Sequence, residues 1–153
     1  MAYRDLRQWL DELRENDELV EVHQEVDWNL EIGAITRRVY ETLAPAPLFT
    51  NIKGYAGYRL LSAPAGYSAR HRYARLALAL GLPADASLRK IVEEYLSRRK
   101  KPIPPEVVSE APCHENVHTG DDIDILEFPV PMLHEGDGGR YIGTGDAVIT
   151  KDP

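Results

Sequence analysis

Leu6, Trp9, Leu10 and Leu13 recur at i, i+3, i+4 and i+7, the spacing that gives a helix one apolar stripe. Asp5 stands where an N-cap belongs, and Gln8, three residues on, completes a capping box. Asn16-Asp17 punctuates the end of this helix, and residues 19–22 read as a short strand. A second helix is predicted over residues 28–43, capped by Asp27, with Ile32, Ile35, Val39 and Leu43 on its apolar face; Pro45 and Pro47 stop it. Residues 48–52 and 58–61 are short apolar runs separated by the turn-forming Lys53-Gly54-Tyr55-Ala56-Gly57, which predicts a hairpin or two neighbouring strands. Ser68 opens a third helix with Tyr73, Leu76, Ala77 and Leu80 on one face, ended by Gly81 and Pro83. Ser87 opens a fourth, carrying Ile91, Tyr95 and Leu96. Helix, strand, helix, strand, strand, helix, helix is an α+β layout. Its expected core contains Trp9, Leu10, Leu13, Ile35, Val39, Phe49, Leu76, Leu80 and Ile91.

The texture changes at Pro102-Ile103-Pro104-Pro105, which cannot be helix interior because proline lacks a donor and clashes. The chain is expected to run extended from there to Met132, so the two predicted units are residues 1–105 and 106–153. Gly136-Asp137-Gly138-Gly139 is a loop, and residues 141–150 alternate as a strand that enters a turn at Lys151-Asp152-Pro153. A strand with nothing to return it is an unpaired edge. This predicts that the chain is a piece of a longer protein.

Length and charge narrow the classes. At 153 residues, one domain or slightly more is expected. The net charge of −7, from 18 basic and 25 acidic side chains, argues against a nucleic-acid partner, which calls for basic patches. The local exception, Arg98, Arg99, Lys100 and Lys101, sits where a helix should end and positive charge complements its dipole. Cys113 is the sole cysteine, so no internal disulfide forms. The charged start MAYRDLRQWLDEL has no signal-peptide block, and no apolar run approaches the roughly 20 residues needed to cross a bilayer. A cytoplasmic protein without a membrane partner is expected.

The candidate chemistry is sparse. Cys113, His114 and His118 are metal-ligand types. In an extended chain, however, the two histidines lie about 13 Å apart, so a polar surface segment is the preferred reading. His134 and Glu135 are an acid–base pair by type, but neighbours in an extended chain point apart. His23 and His71 are expected to face solvent. Gly136, Gly138 and Gly139 could cradle a phosphate, although the spacing is neither a dinucleotide fingerprint nor a P-loop, and a plain glycine turn is preferred. No Ser/His/Asp arrangement and no Cys-x-x-Cys is present.

Several stretches, taken in order, resemble the UbiD family of reversible decarboxylases. They are residues 3–10 (YRDLRQWL), Leu19-Val20-Glu21-Val22, Val26-Asp27, residues 47–55 (PLFTNIKGY), Ala111-Pro112-Cys113, residues 126–131 (LEFPVP), and residues 137–145 (DGGRYIGTG) continuing to Thr150-Lys151-Asp152-Pro153. The resemblance implies an amino-terminal α/β domain followed by the first strand or strands of a flavin-binding split β-barrel. It implies prenylated flavin mononucleotide, with Mn2+ and K+, as cofactors of the full-length enzyme, and small aromatic or α,β-unsaturated carboxylic acids as substrates. The full-length protein is expected to be a homo-oligomer. The hard chemistry belongs to the cofactor. The family's metal-binding asparagine and its substrate-facing Arg and Glu residues have no counterparts before Pro153, so no catalytic and no metal-binding residue carries over. Thr144 alone matches a threonine near the flavin, and its plain alternative is a β-branched strand residue. On this basis the chain alone is expected to be inactive and not to hold the cofactors stably. The competing readings are a non-catalytic binding or assembly module for a larger decarboxylase subunit and a small flavin-binding protein.

Overall fold

The computed structural model describes residues 3–104 and 106–143. Helix α1 spans Leu6–Glu15. Asp5 caps it as expected, its carboxylate accepting from the Gln8 N–H at 2.9 Å, but the Gln8 side chain accepts from Arg4 N–H rather than from Asp5, so the box closes one residue early. Asp17, at φ 58°, reverses the chain into strand β1, Leu19–Val22. β1 pairs in parallel with β2, Ala46–Phe49, in the register Leu19↔Ala46 to Val22↔Phe49, and β2 pairs antiparallel with β3, Leu60–Leu61. β2 is therefore the central strand, and all four of its residues are buried. The strand expected at 48–52 starts two residues earlier. Pro47 lies inside it, contributing only its carbonyl, which accepts from Ser62 N–H at 3.0 Å. Ile52 meets Val26 in an isolated bridge instead.

Helix α2, Glu31–Thr42, is the crossover between the parallel strands. It begins three residues later than expected. Trp28 O accepts from Met132 N–H at 3.0 Å and Leu30 N–H donates to Met132 O at 2.9 Å, so residues 28–30 are taken into a bridge with a distant segment instead of a helical turn. Asp27 still serves the turn: it accepts from Asn29 N–H at 2.9 Å, while Glu31 accepts from Asp27 N–H at 2.7 Å. Helix α3 is also short, Ala74–Ala79. Ser68 does not start it, because its hydroxyl donates to the buried Glu18 at 2.6 Å. Gly81, at φ 64°, ends α3 as predicted, and Ser87 caps helix α4, Leu88–Arg99, accepting from Lys90 N–H at 3.3 Å.

The core gathers Val26, Ile32, Phe49 and Ile52, with Trp28, Ile35, Tyr55 and Leu60 packed around them. Of the residues expected inside, Leu10, Leu13, Val39, Phe49 and Ile91 are buried, whereas Trp9, Ile35, Leu76 and Leu80 are half-buried; α3 buries Ala74, Arg75, Ala77 and Leu78 instead. Leu10→Ala is expected to cost about 2–5 kcal/mol; a thermal midpoint equal to the parent's contradicts this packing. Residues 106–127 run exposed apart from the half-buried Ala111, interrupted by single turns at Pro112–His114, Gly120–Asp122 and Ile125–Glu127. The strand expected at 141–150 falls, from Thr144 onward, outside the described residues.

The returning segment passes close over α2. A Cβ added at Gly33 would lie 2.1 Å from Leu133 O and 2.9 Å from its Cα. Backbone cannot yield as a flexible side chain can, so Gly33→Ala is expected to force the two apart at a cost of about 1–3 kcal/mol. Faster hydrogen exchange at the Met132 amide would record the separation; wild-type exchange there together with an unchanged midpoint would refute it.

Candidate functional site

The β2–β3 turn and the start of α2 place three aromatic rings, Tyr55, Tyr58 and Trp28, along one edge of the body, and the segment after residue 125 docks on them. Tyr55 OH donates to Leu126 O at 3.0 Å, and Tyr58 OH donates to Glu127 Oε1 at 2.9 Å. The hydrogen bond to that carboxylate raises the Tyr58 hydroxyl above its ordinary range, since it is made by the protonated form and lost on ionisation. The Phe128 ring stands edge-on to Tyr58 at 6.1 Å, and Tyr58 edge-on to Tyr55 at 6.3 Å. Arg140 closes the arrangement. Its Nε donates to Val130 O at 2.5 Å, and its Nη2 to Tyr55 OH at 2.7 Å and to Phe128 O at 3.2 Å. Its guanidinium carbon sits 4.1 Å from the Trp28 ring centroid and 5.5 Å from that of Tyr55. Asp27, the residue before Trp28, accepts from Lys53 at 2.7 Å, and this hydrogen bond holds the Asp27 carboxyl below its ordinary range.

The residues singled out from sequence are not drawn together. Cys113 is exposed and His114 lies on a single turn, while the His118 ring meets Asp122 O at 3.1 Å. Among the described residues no group of three or more His, Cys, Asp or Glu side chains could hold a metal ion. His134 finds Asp137 rather than Glu135: its ring Nδ1 lies 3.4 Å from Asp137 Oδ2, the same oxygen that accepts the His134 N–H at 3.0 Å. The Asp137 N–H returns a bond to His134 O at 3.1 Å, so the glycine loop opens with a turn that satisfies its own polar groups. His23 sits against Thr50 Oγ1 at 2.9 Å. Arg98 pairs with Glu94 and donates to Leu80 O at 2.6 Å, a structural use of the basic helix end. Thr144 lies outside the described residues.

Sequence reasoning missed Arg140, Trp28 and Tyr55 as a unit. One signal was available: residues 102–139 contain nine Asp or Glu and no Lys or Arg, so Arg140 is the first basic side chain after Lys101. Chemically the arrangement can dock and orient chain. It presents no nucleophile with a base and no converging ligand set.

The described residues thus form an α+β body with the arm that follows residue 125 docked on it. The chain belongs to the UbiD family. Residues 10–95 match the model described as the 3-octaprenyl-4-hydroxybenzoate carboxy-lyase N-terminal domain, and residues 106–153 match the Rift-related domain of the same enzyme. Over 97% of its length the chain is 50% identical to the pyrrole-2-carboxylic acid decarboxylase of Pseudomonas aeruginosa, and over 97% it is 36% identical to ferulic acid decarboxylase 1 of Saccharomyces cerevisiae. It spans 31% of the length of each of these relatives. Among solved structures, the vanillic acid decarboxylase of Sedimentibacter hydroxybenzoicus in an open form superposes with a TM-score of 0.80 at 34% identity, over 92% of this chain and 30% of that one. A UbiD-class enzyme of Pelotomaculum thermopropionicum in complex with prFMN superposes with a TM-score of 0.73 at 28% identity, over 90% of this chain and 30% of that one.

Proposed function

We propose that this chain is the amino-terminal portion of a prenylated-FMN-dependent decarboxylase acting on aromatic or α,β-unsaturated carboxylic acids. Residues 1–105 are its scaffold domain, and residues 106–153 lead into its flavin-binding barrel. The observation that carries this reading is the 50% identity to a pyrrole-2-carboxylic acid decarboxylase, which extends over 97% of the chain. The docked arm at residues 126–140 supports the division of labour, because it fixes the course of the chain up to Arg140.

Bound prenylated flavin supplies the electron sink that the loss of carbon dioxide calls for. The described residues do not fit that group or its metal, since no three ligating side chains converge among them. Its grip is therefore assigned outside them, with Thr144 as this chain's one candidate contact, and Mn2+ and K+ as the ions of the full-length, homo-oligomeric enzyme. The exposed free thiol of Cys113 suits a cytoplasmic setting. What the chain's own residues do is hold and orient.

Residues 1–153 alone are accordingly expected to release no carbon dioxide when incubated with prenylated flavin, Mn2+, K+ and a panel of aromatic and unsaturated acids. Turnover above background would overturn the assignment of the chemistry to segments beyond this chain. The same failure to turn over after the remainder of a related decarboxylase is added and shown to bind would favour a binding or assembly module.

A further inference from the structure

Among the described residues beyond Met132, the turn bond from Asp137 N–H to His134 O is local and gives the arm no hold on the body. The tie across that stretch is a side chain. Arg140 donates three hydrogen bonds, to Val130 O, Phe128 O and Tyr55 OH, and stacks over Trp28 at 4.1 Å. It thus joins three stretches that are remote in sequence: the start of α2, the β2–β3 turn and the returning arm at 128–130. Tyr55 OH passes the tie on, accepting from Arg140 and donating to Leu126 O.

We infer that Arg140 is the positioning residue that latches the arm to the body and so sets where the chain enters the segment beginning at Tyr141. The chemistry suits the task. A guanidinium is planar, stays charged, and presents several donors in a fixed fork while its face lies on an indole. Lysine could keep the charge over Trp28, but its point-like ammonium cannot reproduce the fork. The two carbonyls it satisfies lie two residues apart, at 128 and 130, so one side chain fixes the course of the arm through Pro129. The latch stands on geometry alone. Its consequence, that it registers the scaffold domain against the flavin-binding unit, rests on the function proposed above.

The test uses the 153-residue chain without cofactor, so its outcome is separate from the fate of the functional reading. Hydrogen exchange is followed at the Leu30 and Met132 amides, which donate to Met132 O and Trp28 O across the docked seam. Ile91 on α4 serves as the remote control. Trp28 emission is read in a Trp9→Phe background. Arg140→Ala should speed exchange at Leu30 and Met132 by about tenfold or more, leave Ile91 unchanged and shift the Trp28 emission. Arg140→Lys should restore much of the emission but give intermediate exchange. Unchanged Met132 exchange in Arg140→Ala, or acceleration of Met132 and Ile91 in equal measure, would overturn the latch. Should the alanine variant not fold, Arg140→Lys and Arg140→Gln decide: faster Met132 exchange than wild type supports the role of the fork, and wild-type exchange in both rejects it.

Discussion

Arg75→Leu is expected to lower the stability of the chain by about 3–5 kcal/mol. Arg75 is wholly buried, and its guanidinium donates to Gly66 O at 2.9 Å, Ala63 O at 3.2 Å, Ala44 O at 3.1 Å and to Tyr67 O. It thereby ties the loop before α3 to the end of α2. Its Nε also lies 3.5 Å from Glu18 Oε2, an oxygen with no hydrogen-bond partner of its own, while Glu18 Oε1 accepts from Ser68. Burial alone pulls the guanidinium below its usual range, and Glu18 opposes that pull. Leucine would strand the Glu18 carboxylate and several carbonyls in an apolar setting, and an uncompensated buried charge costs more than the pair contributes. At a few degrees per kcal/mol for a chain of this size, the thermal midpoint should fall by roughly 10 °C. Replacing Glu18 by Leu in the same protein should recover part of that loss, because the orphaned charge goes too. A single Arg75→Leu variant that melts with the wild type would contradict the cluster's structural role.

Phe49→Ala is expected to cost about 3–5 kcal/mol. Phe49 is fully buried at the end of the central strand, where the core residues Val26, Ile32 and Ile52 gather. Its register partners are Val22 on one side and Leu60 on the other, so both flanking strands lean on it. The cavity would open at the junction of sheet and helix, where neither layer can collapse into it. Phe49→Leu retains most of the apolar volume and should lose clearly less. Denaturant unfolding of the three proteins measures the series, and equal midpoints for the alanine and leucine variants would show that the site relaxes freely.

What was legible in the sequence follows from how local each signal is. The caps at Asp5 and Ser87 and the stop at Gly81 depend on residues within one or two turns, and the structure places them as expected, whereas of the predicted α1 stripe Leu10 and Leu13 are buried, Trp9 is half-buried and Leu6 is exposed. The starts of α2 and α3 were misplaced because distant partners compete for their first residues. Met132 pairs with residues 28–30, while Glu18 takes Ser68 and Arg75 gathers the carbonyls of Ala63, Gly66 and Tyr67 that precede it. No period in the sequence announces a bond that spans about a hundred residues. The site was less legible still. Histidines and cysteine drew notice by type, whereas the docked seam is built from Trp28, Tyr55 and Arg140, residues that read as ordinary core and surface until the fold brings them together. The family resemblance rested on ordered short motifs and therefore survived the local misplacements.

The central claim is that this chain performs the scaffolding work of a UbiD-family decarboxylase. The most direct measurement is a chimera in which residues 1–153 replace the matching amino-terminal segment of the Pseudomonas aeruginosa pyrrole-2-carboxylic acid decarboxylase, assayed for carbon dioxide release with prenylated flavin beside the parent enzyme and beside residues 1–153 alone. The account predicts turnover by the chimera within about tenfold of the parent, a change of roughly 1.4 kcal/mol in the barrier, and none by residues 1–153 alone. A folded, flavin-loaded chimera that releases no carbon dioxide while the parent does would contradict it.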